Sequence, residues 1–351
     1  MFSRAPRTTA AVALGLVCCP VALWAADPPS AQPPVRWTDH LTPEVSLEAD
    51  FCLVDDAAGT TSAFDLSTMA LGMELRAGNR ASGRLVVDYD GGTDEIGLDE
   101  ANITLGGGET QPFFLTAGRL YAPFGDFSTH LVQDPFTQAL GEINEEGAVA
   151  GWSAHGLTLA LFVYDGLDHT NDNQADYGYG ASLDYQQENE RHGFRIGGGW
   201  VSNLADADSV GGALPCSEDN RIRLDRRVAG LNLHAGLRHG SLSLHTEYVA
   251  ALDRFTADEL AWDGTGARPT AWASELAWTT ALKGHETTLA LGYQQTREGA
   301  ALELPGQRLS VSAAVALFAG TTLQFEYAHD SDSGTASDHC RSFITRLAWA
   351  F

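Results

Sequence analysis

The chain has 351 residues, 46 of them acidic and 21 basic, for a formal net charge of −25. That balance excludes a nucleic-acid partner, whose phosphates the protein would repel. The 37 glycines are spread along the chain rather than clustered, which points to many strands and tight turns and not to a disordered tract.

In chain order, Arg4 and Arg7 precede an apolar run over 10–22, and small residues surround Ala25. A basic start, a hydrophobic stretch short of the roughly 20 residues of a membrane span, and a cleavage zone predict a signal peptide over 1–25. Residues 26–42, proline-rich over 27–34, read as an extended periplasmic linker. No later stretch is long and apolar enough for a transmembrane helix.

From 43 to 351 the apolar residues recur with period two, the signature of strands. The predicted strands are 43–54, 67–76, 82–89, 96–105, 112–121, 147–153, 156–164 and 176–185. They continue with 193–201, 227–238, 241–250, 270–282, 286–294, 307–318, 321–328 and 342–351. In the segment 241–250, Leu242, Leu244 and Tyr248 alternate with Ser243, His245 and Glu247. In 321–328, Leu323, Phe325 and Tyr327 alternate with Thr322, Gln324 and Glu326. The predicted connections alternate too. Long polar loops at 55–66, 90–95, 122–146, 165–175, 202–226, 251–269, 296–306 and 329–339 take turns with short ones such as Ala-His and His-Gly. Sixteen strands of this length, with short turns on one side and long loops on the other, predict an all-β, up-and-down antiparallel transmembrane barrel. It would sit in the outer membrane of a Gram-negative bacterium, with outer-membrane lipid and lipopolysaccharide around it and both termini in the periplasm. The last strand ends on Phe351, after Phe343, Leu347 and Trp349 on the same face. Such an ending resembles the signal read by the barrel-assembly machinery.

The third long loop departs from the polar pattern. Phe124, Phe127, Leu131, Val132, Phe136 and Leu140 are too apolar to lie in water. A 16-stranded barrel has room for an inserted loop, so this one is expected to fold into the lumen and narrow it. Phe124, Asp126, Phe127, Asp134, Phe136 and Glu142 are the candidate constriction residues, with Asp134 before Pro135 as a helix N-cap. Arg84, Arg119, Arg195, Arg238 and Arg346 are expected on the lumen face. They either guide an anionic solute or pair with inward carboxylates such as Glu74, Asp88, Glu100, Asp184, Glu247, Glu275 and Glu326.

No catalytic residues, cofactor or metal are expected. The nearest approach to a hydrolase pair is His245 with Ser243, mid-strand and without an orienting partner, and the histidines lack metal-ligand spacing. Cys52 and Cys340 fall near the outer ends of the first and last strands, which closure makes neighbours. A disulfide between them is expected in an oxidising compartment, with Cys216 as the competing partner.

Gly118-Arg-Leu-Tyr-Ala-Pro-Phe-Gly-Asp-Phe127, followed by Asp134-Pro-Phe-Thr137 and Leu140-Gly-Glu142, resembles the LbtU family of siderophore porins. The resemblance covers 118–142 only and implies ferric-siderophore uptake without a plug domain. A general or anion-selective diffusion porin and a structural or adhesive protein with a closed lumen stand as alternatives. A homotrimer is compatible with a barrel of this size.

Overall fold

In the computed structural model, sixteen antiparallel strands follow one another round a closed barrel in chain order. The structure describes residues 40–78, 80–91, 95–108, 111–169, 177–215, 222–331 and 339–351. The strands are β1 (Leu41–Asp56), β2 (Gly59–Ala77), β3 (Ala81–Asp90), β4 (Glu95–Gly106), β5 (Phe113–Tyr121), β6 (Asn144–Ala154), β7 (Leu157–Asp165) and β8 (Tyr177–Glu188). The remaining eight are β9 (His192–Val201), β10 (Gly230–His239), β11 (Leu242–Ala251), β12 (Thr270–Leu282), β13 (His285–Arg297), β14 (Gln307–Phe318), β15 (Thr321–Ser331) and β16 (His339–Ala350). Two helices, α1 (Phe136–Gly141) and α2 (Asp208–Ala213), lie in the third and fifth long loops.

The alternation seen in the sequence is the alternation of the wall. Leu71, Leu161, Leu183, Leu233, Leu276 and Val311 stand exposed on the outside, while Asn232, His234, Glu247 and Glu326 are buried within. A bilayer covers the first set, and the closed ladder leaves no strand edge unpaired in hydrocarbon. The short connections are tight: His155-Gly156 and Lys283-Gly284 both have positive φ. That conformation matches the twist of the flanking strands.

Several strand ends differ from expectation by two or three residues, and two differences redraw a loop. The predicted loop 55–66 is instead the top of a long β1–β2 hairpin, with Asp56 paired to Gly59. Its polar, threonine-rich sequence forms an edge ladder that hydropathy alone does not reveal. The third loop ends at Ile143, because Glu145 and Glu146 already pair with Leu120 and Arg119 in the β5–β6 ladder. The signal-peptide and linker expectations fall almost wholly outside the described residues, as does Cys216; Leu41 already opens β1.

The predicted disulfide is not formed, and Cys52 and Cys340 are both free. Cys52 sits opposite Ile344, four positions from Cys340. Four residues of strand separate the pair by roughly 13 Å, beyond the reach of a disulfide. Closure brought the correct strands together, but in another register.

Closure ends at the last residue, where Val45 and Phe351 exchange both backbone hydrogen bonds at 3.0 Å. The Phe351 ring stacks on Trp349 at 5.6 Å. Phe351→Ser is expected to cut the amount of folded barrel in the membrane several-fold, read as loss of the heat-modifiable band on gels. A wild-type level of that band would refute an assembly role for Phe351.

Candidate functional site

Residues 122–143 leave the wall at Tyr121, cross the lumen and return at Asn144. Phe124, Leu131, Val132, Phe136, Leu140 and Ile143 are all buried. The opposite wall accepts them because it is glycine there. A Cβ on Gly199 would lie 2.5 Å from the Phe124 carbonyl oxygen, and one on Gly292 would lie 2.6 Å from Leu131 Cδ1.

Three inward carboxylates hold the loop. Glu247 on β11, only 1% exposed, accepts from Asp126 N (2.8 Å), Phe127 N (3.2 Å), Thr137 Oγ1 (2.9 Å) and Asn232 Nδ2 (2.7 Å). Glu275 on β12 accepts from Thr129 Oγ1 (2.6 Å) and His130 N (3.0 Å), and its Oε1 is 2.6 Å from His130 Nδ1. Glu326 on β15 accepts from Val132 N and, at 3.0 Å, from Gln133 Nε2. Hydrogen bonds to a charged acceptor are about twice as strong as neutral ones. Here they replace the water that a buried loop backbone would otherwise lack. Glu247 and Glu326, expected merely to line the lumen, are therefore the fasteners of the loop. Sequence reading did not single out Glu275 and Gln294 in this role.

Helix α1 starts differently from expectation. Asp134 makes no capping bond; Pro135 occupies the N-cap position. The first free amide, Phe136 N, donates to Gln294 Oε1 at 2.7 Å. A wall side chain thus does the work of the cap. Arg308 on β14 lies over the Phe136 ring at 4.8 Å, fixed by two bonds to Asp330 at 2.7 and 2.8 Å.

The fifth and sixth long loops also turn inward. Leu204, Ala205, Val210, Leu224 and Val228 have no exposed surface, and they join Phe255, Leu260, Phe124 and Leu140 in one apolar core. The long-loop half of the β6–β12 side of the barrel interior is therefore filled, while a chamber of about 730 Å³ lined by Thr116, Ala160, Ser182 and Asp184 stays open toward the short turns. The β1–β4 and β16 side keeps a polar lining.

The five expected arginines are all engaged, Arg84 and Arg346 in that open sector and Arg119, Arg195 and Arg238 on β5, β9 and β10. Arg346 holds Asp50 at 2.8 and 2.9 Å and Glu48 at 2.8 Å. Arg84 holds Glu100 at 2.8 Å and Glu44 at 3.0 Å. Arg195 reaches Asp126 of the loop at 2.6 Å and Asp184 at 3.2 Å. Arg238, near the short-turn end, pairs with Glu188 at 2.7 Å. Arg119 donates to the Asn144 carbonyl at 3.3 Å where the loop rejoins the wall. Of the two sequence-level options, pairing with inward carboxylates describes Arg84, Arg195, Arg238 and Arg346, but the partners sit on nearby strands of the wall or on the loop rather than across the lumen; Arg119 meets a backbone carbonyl instead.

The loop's own titratable groups follow their surroundings. Burial alone would raise the Asp126 pKa, but His245, Ser128 and Arg195 together hold it well below the usual carboxylate range. The hydrogen bond to Glu275 raises the His130 pKa. Burial pushes Asp134 up, against the opposing pull of Arg346. Glu142 is pushed up to about 7, first by burial and then by Asp208, Asp134 and Asp99.

The sign for Glu142 is that of a carboxyl with a raised folded-state pKa. Its protonated form supports the junction of α1 with α2 fully below the ordinary carboxyl range, and that support is lost as pH rises through about 7. Thermal unfolding is expected to lose on the order of 1 kcal/mol between pH 5 and pH 8 relative to Glu142→Gln, with Glu142 only partly screened by solvent. Parallel pH profiles for the two proteins would refute this.

The chain is similar to a UPF0422 protein of Coxiella burnetii, 30% identical over 268 residues that make up 73% of this chain and 56% of that protein. A UPF0422 protein of Legionella pneumophila aligns at 30% over 251 residues, 68% of this chain and 47% of the relative. The chain spans about half the length of the curated relatives it matches. No protein-family model matches it. Among solved structures, Pseudomonas putida OprB superposes with a TM-score of 0.64 at 9% identity, over 90% of this chain and 95% of that one. The outer membrane channel DcaP of Acinetobacter baumannii gives 0.58 at 11%, over 89% and 97%. Vibrio cholerae OmpT in its trimer form gives 0.54 at 8%, over 89% and 99%. At these identities the likeness is one of fold. The fold is porin-like, and a closed barrel with an apolar exterior on its strands is an outer-membrane protein.

Proposed function

We propose that this chain is a passive channel for small hydrophilic solutes, with the third loop as its constriction. The observation that carries the reading is the latch. Carboxylates on three wall strands hold the loop against one side of the lumen and leave the other side lined by charged and polar groups. Each of Arg84, Arg195 and Arg346 faces two carboxylates, and the bidentate fork of Arg346 is already taken by Asp50. A passing carboxylate or phosphate finds no free fork, and the excess negative charge favours cations. Signal cleavage within 1–25, folding through the barrel-assembly machinery and assembly as a homotrimer complete the proposal.

The finer reading, uptake of ferric siderophores, rests on the resemblance of 118–142 to the LbtU family. The loop carrying that motif is the one that crosses the lumen and is latched to the wall. Liposome swelling tests both levels. Proteoliposomes are expected to swell in small neutral sugars and amino acids at rates that fall with solute size. Inhibition of swelling by a ferric siderophore, and not by an equal concentration of a large sugar, supports the finer reading. Swelling unaffected by the siderophore removes the finer reading, and no swelling in any solute removes the channel.

A further inference from the structure

We infer that the outer rim of β11–β13 binds the phosphate of a multiply acylated lipid of the outer leaflet. The strand register lays out the surface row by row on the lipid side. Leu244, Leu276 and Leu291 pair in one row, and Thr246, Ser274 and Tyr293 form the next. Tyr248, Trp272 and Gln295 follow, then Ala250, Thr270 and Arg297. Successive rows are about 7 Å apart. The wall thus passes from aliphatic through aromatic to cationic toward the long-loop end, as the bilayer passes from acyl chains to head groups. Trp272 packs edge-on to Tyr293 at 5.7 Å and is anchored by Nε1 to Thr246 Oγ1 at 2.9 Å.

Above the aromatic row lies a concavity of about 730 Å³ whose lining includes Tyr248, Trp272, Arg254, Arg268 and Arg297. Small Ala250 and Thr270 leave it open. Glu298 bridges to Arg254 at 2.9 and 3.0 Å and accepts from Arg268 N at 2.7 Å, fixing the loop ends. Among the described residues the Arg268 side chain is hydrogen-bonded through Nε alone, to the Ala251 carbonyl at 3.0 Å. The Arg297 side chain has no ion-pair partner among the described residues. Two guanidinium groups therefore face outward beside one neutralised pair, at head-group level, on a protein with more than twice as many acids as bases. Arginine forks match phosphate geometry, and the leucine rows below supply the surface for acyl chains. The aromatic and leucine rows commit the site to a lipid phosphate rather than to free phosphate.

The test uses the folded full chain in neutral detergent, with diphosphorylated lipid A as the probe. Native mass spectrometry counts retained lipid, and the loss of heat-modifiable barrel on heating reads protection. Wild type is expected to retain one lipid more tightly than R268Q/R297Q by about tenfold in apparent dissociation constant, and dephosphorylated lipid A is expected to lose the same preference. Both substitutions are at exposed side chains outside the latch, and an unchanged barrel band confirms the variant is folded. Equal retention by variant and wild type would overturn the inference. Protection by inorganic phosphate alone, at the same concentration, would overturn the lipid assignment.

Discussion

Glu247→Ala is expected to widen the channel and make it noisy. The carboxylate takes four hydrogen bonds, from two loop amides, a loop threonine and Asn232. Leaving a buried donor without an acceptor costs about 1–3 kcal/mol, so removal of this one side chain destabilises the docked loop by several kcal/mol. The cost falls on the loop and not on the barrel, because none of the four bonds belongs to the strand ladder. The expected record is a higher mean single-channel conductance with rapid fluctuations, while the unfolding temperature of the barrel changes little. Glu326→Ala should release the loop's far turn, where Val132 and Gln133 are held, with a smaller effect because fewer donors are stranded. The double variant should approach the conductance of a protein lacking 126–140. Wild-type conductance and noise in Glu247→Ala would sink the latch.

Leu161→Arg tests the membrane assignment with an effect of similar size. Leu161 is the middle residue of β7 and is 67% exposed on the outer face. At mid-bilayer an arginine on the lipid face costs about 2–4 kcal/mol. Thr116→Arg is the matched control. Thr116 lies on the inner wall beside the open chamber bounded by Glu100, Asn102 and Asp184, where the guanidinium stays hydrated and finds carboxylates. It should cost less than about 1 kcal/mol while reducing conductance by obstruction. Equal destabilisation by the two would mean that the exposed face does not meet lipid.

Much of this architecture was legible in the chain. Period-two alternation survives in a barrel because every strand has one face in lipid and one in a polar interior, so all sixteen strands were visible and only their ends shifted. The long/short alternation of connections was equally readable. The inward fold of 122–143 was readable because a loop with Phe124, Phe127, Leu131 and Phe136 has no reason to face water. The same logic applies to Leu204, Val210, Leu214 and Leu224 of the fifth loop, and sequence reading left that loop outside. The signal was present, but diluted among Asp206, Asp208, Glu218 and Asp219.

The latch was less legible. Glu326 pairs in register with Ser312 and Ile344, so an inward carboxylate without a cationic neighbour was a clue that something else must satisfy it. Which amides would do so depends on the path of the loop, and no local pattern encodes that path. Asp134 was misplaced for the same reason: a helix inside a barrel can take its cap from the wall, here Gln294. The Cys52–Cys340 pairing failed on register, which strand order alone does not supply.

Single-channel recording in planar bilayers tests the central claim most directly. Purified, folded protein inserted at low concentration is expected to give discrete, ohmic conductance steps. A salt gradient should show potassium preferred over chloride, as the paired arginines of the lumen wall require. Insertion of heat-modifiable barrel with no conductance above that of the bare bilayer would contradict the account.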